Sequence, residues 1–376
     1  MPLAEFVFWA CAVLLFFTYA GYALILLALV KLTSRVRGEP PGESACPLVS
    51  VILVVRNEQD RIESRLRNLL ETSPPLLVEV WVACDGCTDN TAGVARGVGD
   101  ERVRILELSE GRGKPAGLNA AAARATGEVL AFCDARQRFA PDAITRLASW
   151  FSDASTGAVS GALEVERSTG GAGQGVDAYW RLEKWIRQLE SDLDSSVGCT
   201  GAIYALRREL YQAIPEDTIL DDVVLPMQAA AQGYRIRFDG GAIAWDPQQL
   251  SGGKEVRRKI RTLRGNFQML ARFPGWLLPW RHRLWWQVLS HKYLRLAGPF
   301  FLIGMLIAAW LLKERPLYAV AWWVQCTMYT LALASFVFPK MRHPLVTVPG
   351  GFLFLQWCVV RAGWDWLFAR RVQGWK

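Results

Sequence analysis

The chain has 376 residues, of which 52% are hydrophobic, and a formal net charge of +8 at pH 7. This length corresponds to about two structural units. A nucleic-acid-binding protein would carry its basic residues on a soluble face among stacking aromatic side chains, whereas the basic residues here adjoin long apolar segments. We therefore attribute the charge to a membrane surface and expect no nucleic acid as a partner.

The start of the chain predicts an uncleaved membrane anchor. The segment Leu3 to Val30 carries almost no charge apart from Glu5, and it exceeds the ~20 residues that cross a hydrocarbon core of ~30 Å. A cleaved signal peptide has a basic start and a shorter apolar centre. Lys31, Arg35 and Arg37 follow the segment, so the positive-inside rule places the next domain in the cytoplasm.

Three further apolar segments near the end of the chain are candidate membrane spans. They are Leu296 to Leu312, Leu317 to Phe338 and Leu345 to Val360. If all of them cross, the basic end of the chain at Arg370 and Arg371 lies outside, against the positive-inside rule. Whether the last segment crosses therefore stays open.

A tryptophan-rich stretch precedes these spans. Trp276, Trp280, Trp285 and Trp286 are interspersed with arginine and histidine, which suits an interfacial helix at the lipid headgroups. A core helix with a basic rim is the alternative. The segment His291 to Arg295 begins the next span and is predicted to contact headgroups.

These features divide the chain into five parts and predict an integral membrane protein. We expect the inner (cell) membrane of a bacterium as its location, with the large domain in the cytoplasm. The parts are an N-terminal anchor (1–32), a linker (33–46), a cytoplasmic α/β domain (47–252), interfacial helices (253–295) and C-terminal transmembrane helices (296–376).

Strands and helices alternate through the first half of the cytoplasmic domain, which predicts a doubly wound, mostly parallel sheet. Its predicted strands end next to Glu58, Asp85 and Asp134, and Lys114 begins a later helix. Because the carboxyl ends of parallel strands meet at one edge of the sheet, we expect these side chains to converge. Such a group suits a nucleotide bound through its base, ribose and diphosphate. No dinucleotide-binding or P-loop motif is present, so neither of those folds is expected.

The chain has eight cysteines, and Cys84 and Cys87 form a C-x-x-C pair. A zinc site needs further ligands at suitable spacing, and no second pair exists. A redox pair is an alternative. We expect the thiols to be reduced, as in the cytoplasm.

At these positions the chain resembles the family 2 inverting glycosyltransferases, the GT-A fold group that includes cellulose, hyaluronan and poly-N-acetylglucosamine synthases. The resemblance covers about Pro47 to Gly265 and the flanking spans. It implies a GT-A domain in this region. The similar motifs are Val49 to Leu53 with Asn57-Glu58 (the opening strand), Cys84-Asp85-Gly86-Cys87-Thr88-Asp89 (Asp-Asp-Gly-Ser-x-Asp), Lys114 with Gly117-Leu118-Asn119 (Lys-x-x-Ala-Leu-Asn) and Asp134-Ala135-Arg136 (Asp-x-Asp).

The resemblance implies a role for each donor-side residue. Glu58 and Asp85 would hold the base and ribose of a nucleotide-sugar, and Lys114 would also bind this donor. The family's metal bridges the two donor phosphates, which implies a divalent cation, Mg²⁺ or Mn²⁺, with Asp134 as its ligand. Mg²⁺ often takes only one or two protein carboxylates besides substrate phosphates. Alternatively, Arg136 supplies part of that positive charge.

Inverting transfer needs a general base that takes the proton of the acceptor hydroxyl. All three histidines, at positions 282, 291 and 343, lie in the membrane-side part of the chain, so a carboxylate is expected instead. Asp221-Asp222 resembles the family's Thr-Glu-Asp motif, which implies that Asp222 is the base. A neighbouring aspartate and partial burial would raise its pKa. An acidic pair that merely favours a helix N-terminus is the alternative.

The resemblance also implies an acceptor side. The loop Cys199-Thr200-Gly201 faces the acceptor in the family, and Asp221 and Arg258 are assigned to the same side. Arg258 to Gly265 is similar to the Gln-x-x-Arg-Trp region, in which Arg261 would clamp the diphosphate. Thr262 replaces the tryptophan that helps to floor the acceptor site of processive synthases, which argues against long-chain polymerisation.

Together these features predict a membrane-bound inverting glycosyltransferase of the hexosyltransferase type. It would move a sugar from a nucleotide-diphosphate donor, with a UDP-sugar favoured, to a saccharide or lipid-linked acceptor, as in polysaccharide biosynthesis. The alternative is a catalytically silent membrane protein that binds nucleotide-sugars or scaffolds a partner enzyme. Its basis is the departure from the family motifs at Cys84, Arg136 and Thr262.

Overall fold

A computed structural model describes residues 2–33, 46–72, 75–165, 174–246, 252–338 and 343–368, with the side chains of 174–180, 252 and 254 left out. The predicted linker lies almost wholly outside these ranges. So do the basic residues Arg35, Arg37, Arg370 and Arg371.

Within these described ranges, eight strands form one mixed sheet in the order β3-β2-β1-β4-β7-β6-β8-β5. The strands are β1 (Val49–Val55), β2 (Leu77–Asp85), β3 (Val103–Leu108), β4 (Val129–Cys133), β5 (Arg138–Phe139), β6 (Thr156–Val165), β7 (Ile203–Arg207) and β8 (Arg235–Asp246).

The first half of the sheet is parallel, as the alternation of strands and helices predicts. Every residue of β1 is buried, which is typical of a strand covered on both faces. β1 pairs in parallel with β2 and β4, and β2 pairs in parallel with β3. β7 then enters antiparallel between β4 and β6, so the second half is mixed. The carboxyl ends of β1, β2 and β4 consequently lie along one edge.

Helices cover both faces of this sheet. On one face, a core that contains Leu118 and Leu225 continues into the membrane side at Leu296 and Val359. The other face is covered by a core that contains Ile62. The helices of the domain are α3 (Ile62–Glu71), α4 (Thr91–Gly97), α5 (Lys114–Ala122), α6 (Ala143–Ser149), α7 (Gln174–Leu193), α8 (Asp221–Ala231) and α9 (Gly252–Arg272).

In the part of the chain that the structure describes, four helical segments are long and apolar enough to cross a membrane: Pro2–Leu32, Trp285–Leu311, Pro316–Val337 and Pro344–Phe368. Each matches one of the predicted spans, although the second begins earlier than predicted and the second and third end one residue before the predicted end. The helices in these segments are α1 (Pro2–Phe16), α2 (Tyr22–Leu32), α10 (Trp285–Gln287), α11 (Leu294–Leu311), α12 (Pro316–Val337) and α13 (Pro344–Phe368).

Pro349, Gly350 and Gly351 lie inside α13 and do not interrupt it. A Cβ at Gly350 would lie 2.0 Å from the Ser335 side-chain oxygen, so glycine permits α12 and α13 to pack closely here. Farther along α13, a Cβ at Gly363 would lie 3.2 Å from the Phe267 ring. The C-terminal half of α13 therefore packs against α9, next to the α/β domain.

One prediction at the membrane boundary is wrong. His291 does not contact headgroups, because it is completely buried. Its two ring nitrogens lie 2.8 Å from Glu190 Oε1 and 2.8 Å from Glu183 Oε1 on α7. The segment Val288–Tyr293, a π-helical stretch that leads into α11, thus joins the second candidate span to the α/β domain.

Candidate active site

Asp85 is positioned at the end of β2 by backbone donors. Its two carboxylate oxygens accept hydrogen bonds from the N–H groups of Arg112 (2.9 Å) and Gly113 (2.8 Å). The chain can approach because Gly86 has φ +59°, and a Cβ there would lie 2.7 Å from the Gly111 nitrogen. Asp85 is completely buried, so it fixes the loop that leads into α5.

The ends of β1 and β2 are also fastened to each other. Asn57, which has φ 56°, accepts a hydrogen bond from the Thr88 N–H at 2.8 Å and donates to the Thr88 hydroxyl at 3.1 Å. Glu58 follows, and its carboxylate pairs with Arg61 at 2.9 Å. The predicted base- and ribose-binding residues Glu58 and Asp85 therefore lie on two adjoining loops at the same edge of the sheet.

The C-x-x-C pair is not a reactive dithiol. Cys84 is 2% exposed, and its burial, with a smaller effect of Cys87, raises the pKa of the Cys84 thiol to about 12. Cysteines that react as thiolates have a lowered pKa instead. Both sulfurs are free thiols, and Cys87 Sγ lies 3.7 Å from the Val55 carbonyl oxygen, so both serve to pack the strand ends.

Lys114 joins the two halves of the site. Its ammonium lies 3.1 Å from Asp134 Oδ1, just beyond β4, and 3.3 Å from Asp221 Oδ2, at the start of α8. Burial on its own would lower the pKa of Lys114, but Asp134, Asp221 and Asp222 together raise that pKa above its usual range. Lys114 is therefore a permanent cation that holds Asp134 and Asp221 at one place.

Asp222 lies next to this cluster in the first turn of α8. Its Oδ2 accepts a hydrogen bond from the Gly201 N–H at 3.1 Å, and its backbone carbonyl accepts one from the Cys199 N–H at 2.7 Å. Burial, and then the charge of Asp221, raise the pKa of Asp222 to about 6, against the opposing effect of Lys114. A carboxylate with that pKa is ionised at neutral pH yet can accept a proton.

The loop Cys199-Thr200-Gly201 thus lies directly against Asp222, and its role toward an acceptor stays a prediction. A Cβ at Gly201 would lie 2.9 Å from Asp222 Oδ2, so only glycine leaves that oxygen accessible from this side. The Thr200 N–H donates a hydrogen bond to the Ser160 hydroxyl at 2.9 Å, and the Thr200 hydroxyl accepts one from Arg187 Nη1 at 2.6 Å.

Arg187 and Tyr204 are site residues that sequence reasoning missed. Arg187 lies on α7, and its Nη1 donates a hydrogen bond to the Thr200 hydroxyl. Its i, i+4 spacing from Glu183 was the available signal. The Tyr204 hydroxyl lies 3.5 Å from Asp221 Oδ2, and the Tyr204 ring stacks on Phe132 with centroids 4.6 Å apart. Tyr204 lies in the short apolar strand β7, and this sequence context gave no sign of a functional role.

Two predicted arginines lie apart from the aspartate cluster. Arg258 and Arg261 are exposed on α9, and within the described ranges neither guanidinium has an ion pair within 4.0 Å. Their roles toward acceptor and diphosphate stay predictions. α9 does reach the site region, because a Cβ at Gly265 would lie 2.5 Å from the Leu220 side chain.

The metal-ligating side chains of the site suit a divalent ion held by one protein carboxylate. They do not form a site in which protein ligands alone surround the ion. The described part of the chain has no group of three or more acidic, histidine or cysteine ligands. Asp134 is 45% exposed, and Lys114 is bound to its Oδ1, so Oδ2 can face a ligand. Arg136 instead forms an ion pair with Asp246, which is 3% exposed, so Arg136 is engaged inside the protein and does not act as a substitute cation.

Comparison with known proteins supports the family resemblance. Residues 50–214 match the profile of glycosyl transferase family 2. An N-acetylglucosaminyltransferase of Mesorhizobium japonicum is 26% identical over 249 residues, which cover 61% of this chain and 58% of that protein. A poly-beta-1,6-N-acetyl-D-glucosamine synthase of Staphylococcus aureus is 25% identical over 236 residues, or 60% of this chain and 56% of the synthase.

A beta-monoglucosyldiacylglycerol synthase of Nostoc sp. is 26% identical over 196 residues, which cover 49% of this chain and 41% of the synthase. The chain therefore spans less than two thirds of the length of these relatives. Their names include both polymer-forming and lipid-modifying enzymes.

A solved structure matches nearly the whole chain in fold. The mannosyltransferase PcManGT from Pyrobaculum calidifontis, in complex with GDP-Man and Mn²⁺, superposes with a TM-score of 0.73 at 23% identity, over 98% of this chain and 99% of that one. The predicted GT-A fold with helices at both ends is confirmed. Residues 50–214 are therefore similar to glycosyl transferase family 2, and the chain as a whole has a fold similar to that of PcManGT.

Proposed function

We propose that the protein is an inverting transferase that moves a hexose from a nucleotide-diphosphate donor to a membrane-associated acceptor, with Asp222 as the general base. The observation that carries this proposal is the position of Lys114, which contacts Asp134 and Asp221 within 3.3 Å. A carboxylate assigned to the donor side and the neighbour of the candidate base are thereby held around one cation.

The chemistry follows from the arrangement of the site. The acceptor oxygen forms a bond to the anomeric carbon while the bond from that carbon to the diphosphate breaks, and the nucleoside diphosphate leaves. Asp222 takes the proton of the acceptor hydroxyl. Its raised pKa of about 6 matches the needs of a base at neutral pH. Lys114 and Arg261 are the cations that we assign to the departing diphosphate.

The donor is assigned to the carboxyl edge of β1, β2 and β4. Glu58 and Asp85 are on its two loops, and we assign them to the base and ribose; because Asp85 is completely buried, it would act through the loop that it fixes. A UDP-sugar is the favoured donor, since the Mesorhizobium and Staphylococcus relatives are named for N-acetylglucosamine transfer. PcManGT is described with GDP-Man, so a GDP-sugar is the competing choice.

A divalent cation fits this proposal. Asp134 has one oxygen free of Lys114, and its side chain is half exposed, which suits Mg²⁺ or Mn²⁺ shared with substrate phosphates. When bound, the ion would neutralise the charge that develops on the diphosphate. PcManGT is described with Mn²⁺.

The test uses the purified protein in lipid vesicles with a panel of UDP- and GDP-sugars. Release of nucleoside diphosphate is measured with Mg²⁺, with Mn²⁺ and with a chelator, and the anomeric configuration of the product is determined by NMR. We expect metal-dependent release and inversion at the anomeric carbon. Retention of configuration, or no release with any donor, would contradict the proposal.

A further inference from the structure

The loop Cys199-Thr200-Gly201 supports the Asp222 carboxylate through its backbone. The Gly201 N–H donates a hydrogen bond to Asp222 Oδ2 at 3.1 Å, and the Cys199 N–H donates one to the Asp222 carbonyl at 2.7 Å. The loop is closed by the Ile203 N–H, which donates to the Thr200 carbonyl at 2.9 Å. The orientation of the Asp222 carboxylate therefore depends on where this loop lies.

Arg187 fastens the loop by a side-chain contact. Its Nη1 donates a hydrogen bond to the Thr200 hydroxyl at 2.6 Å, across from α7. The Arg187 side chain is only 14% exposed, so little water competes for this bond. Hydrogen bonds from a charged donor are shorter and stronger than neutral ones. Thr200 is thus held at a fixed distance from α7.

Arg187 is itself held from behind by a buried network. Its Nε lies 3.7 Å from Glu183 Oε1, one turn earlier on α7. The same oxygen lies 2.8 Å from His291 Nε2, and Glu183 Oε2 accepts a hydrogen bond from Arg295 Nη1 at 2.9 Å. Glu183 and His291 are both buried. Arg187 therefore reaches the loop from the rigid junction between α7 and the second candidate span.

The charge of Arg187 also acts on Asp222. Burial and then the charge of Asp221 raise the pKa of Asp222, whereas Lys114 and, after it, Arg187 oppose that rise. Arg187 thus affects the candidate base through its charge as well as through the loop. The charged and titratable groups that act on Asp222 or feel its charge are Asp221, Lys114, Arg187, Lys292, Tyr204 and Cys199.

We propose that Arg187 is a positioning residue of the transfer reaction. It holds Thr200 so that the Gly201 N–H stays on Asp222 Oδ2 and the carboxylate keeps one orientation toward the acceptor hydroxyl. Arg187 acts through Thr200 and not by contact with either substrate. This inference rests on the proposed transferase function and adds a residue to its acceptor side.

The first measurement is hydrogen exchange of the full chain in lipid vesicles, followed by mass spectrometry, and it needs no donor. In Arg187→Met, peptides that contain the loop should exchange at least about 10-fold faster, because a charge-assisted hydrogen bond that keeps the loop closed is lost. Thr200→Val removes only the hydroxyl that accepts from Arg187 and should have the same effect. Thr200→Ser keeps the hydroxyl and should stay near the wild-type rate.

The second measurement is the pH profile of transfer in the same variants. In Arg187→Met and Thr200→Val, kcat should fall about 10-fold or more while KM for the donor is kept, because the base is displaced and the donor edge is not. The midpoint of kcat/KM should move to higher pH, because a weakened N–H bond to Asp222, and in Arg187→Met a lost cation, favour the protonated carboxyl.

Arg181→Met is the matched control, because Arg181 is an exposed arginine on the same helix. It should keep the wild-type exchange rate, kcat and midpoint. Thermal unfolding of each variant verifies folding, and Thr200→Val decides the outcome if Arg187→Met does not fold.

Wild-type exchange of the loop in a folded Thr200→Val would overturn the proposal. So would a fall in kcat without a shift of the pH midpoint, since that result would indicate a merely structural role. Faster exchange of the loop in a protein that transfers no sugar with any donor would support the contact and contradict the proposed function alone.

Discussion

The Lys114 ammonium lies 3.1 Å from Asp134 Oδ1, although Lys114 begins α5 and Asp134 follows β4. The same ammonium lies 3.3 Å from Asp221, which belongs to the half of the domain beyond β7. One buried cation thus connects the parallel half of the sheet with the mixed half. The position of Asp222 relative to the carboxyl ends of β1, β2 and β4 depends on this contact.

Replacing Lys114 should destabilise the protein as well as inactivate it. Lys114→Met leaves Asp221, which is 4% exposed, without its cation, and breaking a buried pair in this way costs about 3–5 kcal/mol. Lys114→Met/Asp221→Asn should recover part of that stability because the unpaired carboxylate is gone. The measurement is thermal unfolding in detergent.

Lys184→Met is the control for this pair, since Lys184 and its partner Glu164 are 29% and 34% exposed. Its effect should stay below about 1 kcal/mol. A double variant that is less stable than Lys114→Met would show that the charge of Asp221 does not need Lys114.

The pH dependence of transfer should report Asp222. A base acts when it is deprotonated, and the pKa of Asp222 is raised to about 6, so kcat/KM should rise with pH through about 6 and level off above it. Asp221→Asn removes the neighbouring negative charge that raises this pKa, so its midpoint should move to lower pH. A profile that is flat between about pH 5 and pH 8 would be inconsistent with this role. So would a midpoint that rises in Asp221→Asn.

Gly86→Ala should weaken donor binding. The left-handed φ of +59° and the approach to 2.7 Å of the Gly111 nitrogen leave no room for a Cβ, so the loop that donates to Asp85 must shift, at a cost of about 1–3 kcal/mol. Gly97→Ala in α4 is the control, because a Cβ there meets nothing within 4 Å. The effect is measured by calorimetric titration with the nucleotide-sugar that the activity test identifies as the donor. Equal donor affinities in the two variants would contradict this prediction.

His291→Ala should loosen the junction between membrane and catalytic domain. The substitution leaves Glu183 and Glu190 buried without the ring that binds both, with an expected loss of about 3–5 kcal/mol. His343→Ala, at an exposed position, should have little effect. Thermal unfolding compares the two, and similar melting temperatures would argue that the buried ring is dispensable.

The edge formed by the carboxyl ends of β1, β2 and β4 could be predicted from sequence because its signals are local. Short apolar runs that end in Asp85 and Asp134 indicate strand ends, and parallel strands bring such ends to one edge. The convergence of Asp134 with Asp221 followed only from the family motif, since β7 enters the sheet antiparallel and no local pattern specifies that.

The network at the membrane boundary was not predictable. His291, Lys292 and Arg295 follow the tryptophan-rich stretch, and a basic segment at the start of a span is typical of headgroup contact. The acidic residues that bury His291 lie about a hundred residues earlier, on α7. Their i, i+7 spacing indicates one helix face, but not what that face contacts.

The sharpest test of Asp222 is the turnover of Asp222→Asn beside that of Asp217→Asn, whose carboxylate is 65% exposed and pairs with Arg272. Donor affinity is measured for both by calorimetry. Loss of a general base predicts a fall in kcat of about 10²–10⁴-fold in Asp222→Asn with donor affinity preserved, while Asp217→Asn keeps the wild-type kcat. A folded Asp222→Asn enzyme that turns over at the wild-type rate would remove Asp222 as the base.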